Sequence, residues 1–437
     1  MSVGEEALAG APQAGAVLPD TSGEAQVRHP LGPRSIAVLV AASFGAALVL
    51  VVPIAFTLAL RVDQLAPGRP SALGYLIGAG SVGTLLSGPL VGILSDRTRT
   101  RWGRRRPFTV AGALLGLGSV PVMAYAPDLV VLGAGWVLAS LGWGTVLGSI
   151  GSYQADRLPP HQRGKVAGLT GMTSYVAPIC GVLLTSPFTD DPLLVFLLPA
   201  AVGVPLVALF VVLAREEDSR HVVHGSRLTV GSVLRSYGFR PRAHPDFSWT
   251  WLGRFVFFAG LSLVMSYSTF FYSERLAIPV EEIAPTIALI SAVGVVASVS
   301  GSLVGGALSD RLHRRRPFVL GGALLYAAGT AVCASAHALP VLMAGALLLS
   351  LGVSVFLTAN QALVLDVLPH RDTQAGRYMA IAAFSQSIPT ALAPLVAPAV
   401  LAVGTGPEPS FTALYLTAGS LALIGGGIVT LGVRGVR

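Results

Sequence analysis

Two stretches of this chain set a carboxylate beside a run of guanidinium groups, a combination that forms strong, geometry-dependent ion pairs. The first carries Gly92, Asp96 and Arg97, then, after a short insert, Gly103, Arg104, Arg105, Arg106, Pro107 and Phe108. The second repeats the arrangement with Gly306, Asp310 and Arg311, followed by Arg314, Arg315, Arg316, Pro317 and Phe318. Downstream, Gly112 to Leu115 and Gly322 to Leu325 read identically. A carboxylate at a helix end is stabilised by a facing helix N-terminus and by arginine partners. Asp96 and Asp310 are therefore candidates for a contact that holds two parts together and breaks. A second, weaker repeat sets Asp156, Pro159 and Arg163 against Asp366, Pro369 and Arg377, each behind an amide at Gln154 or Gln361. Proline at that place stops helix propagation. Asp156 and Asp366 are expected either to pair with loop arginines across the two repeats or to remain solvated loop acids.

A different chemistry is carried by uncharged groups: Trp143, Tyr175, Tyr267, Asn360 and Gln386, together with the isolated cation Arg254. Amides, hydroxyls and aromatic faces suit a neutral polyhydroxyl ligand, whose C–H faces are apolar and whose hydroxyls need directional partners. Each of these residues could instead be a packing contact, and Arg254 could extend its head to an interface, pair with a cytoplasmic acid, or bind an anionic rather than a polyhydroxyl substrate.

These residues need elements to position them, and composition says what the elements are. Of 437 residues, 53% are hydrophobic and only 11% charged, with a mean hydropathy of +0.71. A soluble domain carries about 25% charged residues. Twelve continuous apolar stretches, from 35–60 to 411–433, are long enough to cross a bilayer, which needs roughly 20 apolar residues. Continuous rather than alternating apolarity favours helices over a barrel. The expected fold is an all-α integral membrane protein of twelve transmembrane helices in two six-helix halves. The halves are 35–214 and 248–437, joined by a cytoplasmic linker at 215–247. Residues 1–34 read as a disordered cytoplasmic tail, since they lack a basic segment ahead of an apolar core. With both termini inside, 25 of the 29 Lys and Arg fall on the cytoplasmic side. The net charge of +8 thus reflects membrane orientation, and no nucleic-acid partner is expected. On this topology the arginine runs could also serve as plain topology anchors. Cys180 and Cys333 are expected to be free and buried.

All 21 acids fall in tails, loops or helix ends, so no carboxylate occupies the middle of a span, which leaves Asp63 and Asp156 as titratable candidates and facilitated diffusion open beside proton coupling. The spans carry neither a nucleophile–base pair nor a metal cluster, and no phosphate-binding loop occurs, which argues against an enzyme or an ATP-driven pump.

The six-plus-six duplication, with a Gly, Asp, Arg and basic cluster after the second span of each half, resembles the major facilitator superfamily. The five residues between Arg97 and Gly103 make the loop similar to that of sucrose and related glycoside–cation symporters. The resemblance implies a secondary transporter working by alternating access in the cytoplasmic membrane, both termini cytoplasmic. It further implies a neutral sugar or glycoside as substrate, a coupling proton and no cofactor; the chain is expected to act as a monomer in the lipid bilayer. In that architecture Asp96 would face the start of the eleventh span near Arg377, and Asp310 the start of the fifth near Arg163. Efflux of an amphipathic small molecule, or a non-transporting membrane sensor, are the competing readings.

Overall fold

The computed structural model describes residues 30–214, 216, 220, 241–312, 314–369, 371–403 and 409–435, and every regular element among them is a helix. Nearly all of the expected tail and most of the expected linker lie outside the described residues. Twelve long helices follow one another. They are α1 (Pro33–Leu65), α2 (Ser71–Arg97), α3 (Arg106–Ala124), α4 (Leu129–Arg157), α5 (Pro160–Thr185) and α6 (Pro192–Leu213), then α7 (Pro245–Leu276), α8 (Ala284–Leu312), α9 (Arg316–Ala334), α10 (Leu339–Asp366), α11 (Arg371–Leu401) and α12 (Phe411–Gly432). Eleven are long and apolar enough to cross a membrane; α2 contributes a shorter apolar stretch, Ser71–Leu85. Even the 19-residue α3 and α9 reach about 28 Å at 1.5 Å per residue, close to the hydrocarbon thickness.

Local chemistry sets the helix starts. Proline occupies the first turn of α1, α3, α5, α6, α7, α9 and α10, where its missing N–H is no loss. Asp128 and Asp191 cap α4 and α6, each accepting two backbone N–H bonds. Inside α1, Pro53 opens a π turn over Pro53–Thr57. In α11, Pro394 cannot donate to Thr390, and the carbonyl so freed accepts instead from Ser262 of α7 at 3.3 Å.

Packing repeats with an offset of six helices. The pairs α3–α4, α1–α6, α2–α4 and α3–α6 recur as α9–α10, α7–α12, α8–α10 and α9–α12. Glycine makes the tightest crossings possible. A Cβ on Gly142 would lie 2.5 Å from Gly116 N and 2.7 Å from Gly112 O, and one on Gly352 would lie 2.8 Å from Gly322 O. The duplication seen in the loops is thus also a duplication of helix contacts.

The halves meet through α2 with α11 and α5 with α8. The described hydrogen bonds between them lie toward the end remote from the arginine runs. Tyr267 donates to Ser71 O at 3.3 Å, and Thr269 to Ala55 O, within the π turn, at 2.6 Å. Gly74 and Gly78 bring α2 against Pro394 and Leu395 there. Toward the arginine-rich end, residues 167–176 of α5 are exposed save Thr170 and Thr173, more than one helical face. Among the described residues, the hydrogen bonds that join the halves therefore sit at the remote end. Cys333 is buried as expected, whereas Cys180 is exposed on α5, where no neighbouring helix covers it.

Candidate functional site

At the arginine-rich end each half builds the same clamp. Arg105 is buried and donates from Nε to Asp156 Oδ2 at 3.0 Å and from Nη1 to Ser95. Its counterpart Arg315 donates to Asp366 Oδ2 at 3.5 Å and to Ser309 Oγ at 3.1 Å. Arg104 Nη2 adds a second bond to Asp156 at 2.9 Å. Each clamp ties the end of the second helix of a half, through the loop arginine, to the end of the fourth. In the described ion pairs Asp156 and Asp366 thus pair with loop arginines of their own halves rather than across the halves. The reason is proximity: α2–α4 and α8–α10 pack directly, so the arginine opening α3 or α9 falls beside the end of α4 or α10. Sequence analysis named Arg104, Arg105 and Arg315 only as members of the basic runs and matched none of them to Asp156 or Asp366, although their corresponding places in the two runs were visible.

Gly103 has φ +88°, and its backbone sits against Glu216, whose Oε2 accepts from Arg105 N at 2.9 Å. A side chain at Gly103 would strain the turn and displace that carboxylate. Gly306 packs on α10, where an added Cβ would lie 3.1 Å from Thr358. Arg311 is exposed at the end of α8, and Arg377 lies 5.6 Å from the Tyr378 ring centroid. Gly92 and the side chains of Asp96, Arg97, Arg163 and Asp310 lie outside the described residues.

The unequal geometry of the clamps carries a prediction. Arg105→Ala removes buried charge-assisted bonds and should cost about 1–3 kcal/mol. Arg315→Ala breaks a longer, more exposed pair and should cost about 1 kcal/mol or less. Thermal unfolding in detergent measures both; equal losses would show that the first clamp has no advantage.

A second constellation sits inside the second half. Arg254 lies nine residues past Pro245, or roughly 13 Å along α7. Its Nη1 donates to Gln361 Oε1 of α10 at 3.0 Å and its Nη2 to Gln386 Oε1 of α11 at 3.2 Å. The guanidinium also lies 5.5 Å from the centroid of the Phe258 ring. No carboxylate among the described residues pairs with it. Two amides and an aromatic face spread the cation's charge without neutralising it, which leaves the site electropositive and rich in hydrogen-bonding groups. Gln386 is exposed beside it; Asn360, next to Gln361, is buried with neither amide atom hydrogen-bonded among the described residues.

The other expected cavity residues separate. Tyr175 is exposed on the uncovered stretch of α5. Trp143 is fully buried and packs against Gly116 of α3, inside the first half's own core. Tyr267 is fully buried at the remote end, against Gly74 and Ser71. Trp143 and Tyr267 are packing residues here, because each points its ring at a glycine that makes room for it. Gln361, which sequence reasoning had named only as a helix-end amide, belongs to the Arg254 cluster.

Known proteins agree with this architecture. Residues 35–303 and 284–435 match the Major Facilitator Superfamily. The chain is 49% identical over 51 residues to the general alpha-glucoside permease of Schizosaccharomyces pombe, covering 12% of this chain and 9% of that protein. It is 42% identical over 82 residues to the sucrose transport protein SUC4 of Arabidopsis thaliana, covering 17% and 16%. These matches thus span less than a fifth of either relative. A crystal structure of the nucleoside transporter NupG superposes with a TM-score of 0.72 over 92% of this chain and 99% of that one, at 11% identity. A duplicated bundle of membrane-spanning helices, repeated arginine clamps and a match along nearly the whole chain together place this protein in the Major Facilitator Superfamily of membrane transporters.

Proposed function

We propose that this transporter carries a neutral sugar or glycoside across the cytoplasmic membrane by alternating access, in symport with a proton. The Arg254–Gln361–Gln386 cluster carries the reading: three convergent side chains on three helices offer both donors and acceptors. A sugar ring needs that mixture of donors and acceptors, whereas an apolar solute would need none of it. The sugar names among the relatives and the spacing of the first arginine loop support the same choice. In this proposal both termini are cytoplasmic, the protein works as a monomer, and Asp96 and Asp310 latch the arginine-rich end when it closes.

The proton has a candidate seat at the remote end. Asp63, one of the two titratable carboxylates that the sequence leaves, is half-buried near the end of α1. Purified protein in liposomes should take up labelled sucrose or maltose faster with an inward proton gradient, and a protonophore should abolish the stimulation. Asp63→Asn should remove the gradient response while leaving sugar exchange at equilibrium. Gradient-independent uptake by the unmodified protein would make it a uniporter. No uptake of either sugar would sink the substrate assignment in favour of efflux.

A further inference from the structure

Between α8 and α9 the second half carries a groove lined by none of Arg254, Gln361 and Gln386. The two helices pack on α10 rather than on each other, and the gap between them holds a cavity of about 450 Å³. Its walls are Ser300, Val304 and Leu308 of α8 and Phe318 and Gly321 of α9, with Val355 of α10 at the floor. The lining is almost wholly apolar, and Val304 and Leu308 are exposed. From Ser300 to Leu308 the groove runs roughly 12 Å along the helix, about the length of one half of an acyl chain layer. Glycine keeps it wide: a Cβ on Gly321 would meet nothing within 4 Å.

At one end the groove borders a charged stretch of the sequence. Pro317 and Phe318, which line it, directly follow the run Arg314, Arg315 and Arg316 at the start of α9. Arg315 is engaged in its clamp with Asp366 and Ser309. Arg314 is exposed, and no described carboxylate pairs with it or with Arg316. An apolar slot whose end residues directly follow two such cations in sequence matches one kind of molecule. We infer that the α8–α9 groove is a binding site for an anionic phospholipid, with an acyl chain along Val304 and Gly321 and the headgroup phosphate at Arg314 and Arg316. The apolar lining holds the chain but cannot choose among lipids; the arginines supply the preference for a negative headgroup.

Native mass spectrometry on protein exchanged into an equal mixture of phosphatidylglycerol and phosphatidylcholine tests this directly. The unmodified protein should retain phosphatidylglycerol preferentially. The double variant Arg314→Gln with Arg316→Gln should lose that preference by about 25-fold, at roughly fivefold per arginine near a membrane surface. Gly321→Leu fills the slot from a position with open space, so it should fold normally and retain neither lipid there. Equal retention of the two lipids by the unmodified protein overturns the proposal. So does unchanged retention in Gly321→Leu. A Gly321→Leu variant that converts a dimer to a monomer also overturns it, by showing that a second copy covers this face.

Discussion

Arg254→Gln should lower substrate uptake about 100-fold while leaving the protein folded. The guanidinium donates to Gln361 and Gln386 from two different nitrogens, so it organises groups on α7, α10 and α11 at once. A charge-assisted hydrogen bond contributes about 1.5–3 kcal/mol, so losing one that reaches the substrate and misaligning the two amides weakens binding 10- to 100-fold. Glutamine is shorter and offers its donors from one nitrogen, so it cannot span both partners. Arg254→Lys keeps the charge but not the planar fork, and should fall about 10-fold. Counterflow of labelled sugar in liposomes gives the uptake, and thermal unfolding of the same preparations gives the fold. Unchanged uptake in Arg254→Gln would remove the cluster from the substrate pathway. A collapse in folded yield matching the lost uptake would make Arg254 a packing residue.

Gly142→Val and Gly352→Val should prevent either half from assembling. At Gly142 the obstacle to a side chain is the backbone of α3, with Gly116 N at 2.5 Å, Gly112 O at 2.7 Å and Gly116 Cα at 2.8 Å. At Gly352 the Tyr326 backbone and Gly322 O stand in the same relation. Flexible side chains move aside; helix backbones packed along their length do not, so α3 and α4, or α9 and α10, must separate. Overpacking a tight core costs about 1–3 kcal/mol and often more, and separating a central helix pair belongs at the upper end. Fluorescence-detected gel filtration of detergent extracts should show loss of the monodisperse peak in both variants. Gly118→Val is the internal control, since a Cβ there meets nothing within 4 Å, and it should behave as the unmodified protein. A monodisperse Gly142→Val would show that the crossing is looser than its geometry.

What sequence alone determined here was everything that depends on length, repetition and charge. A span needs about 20 apolar residues wherever it sits, so the helices from Pro33–Leu65 to Phe411–Gly432 were readable without knowing their neighbours. The duplication was legible in the two arginine runs, and it reappears in the six-helix offset of the packing. The partner of each side chain was a different matter. Trp143 and Tyr267 had the composition of cavity residues yet fill the space beside Gly116 and Gly74, while Arg254 gathers Gln361 and Gln386 from helices more than 100 residues away. Asp156 takes Arg104 and Arg105 from its own half because α2 and α4 touch there. Only the tertiary structure decided these pairings. A membrane helix is apolar nearly all round, so its pattern does not reveal which side faces lipid, a neighbouring helix or the substrate, and the choice is made when the helices pack.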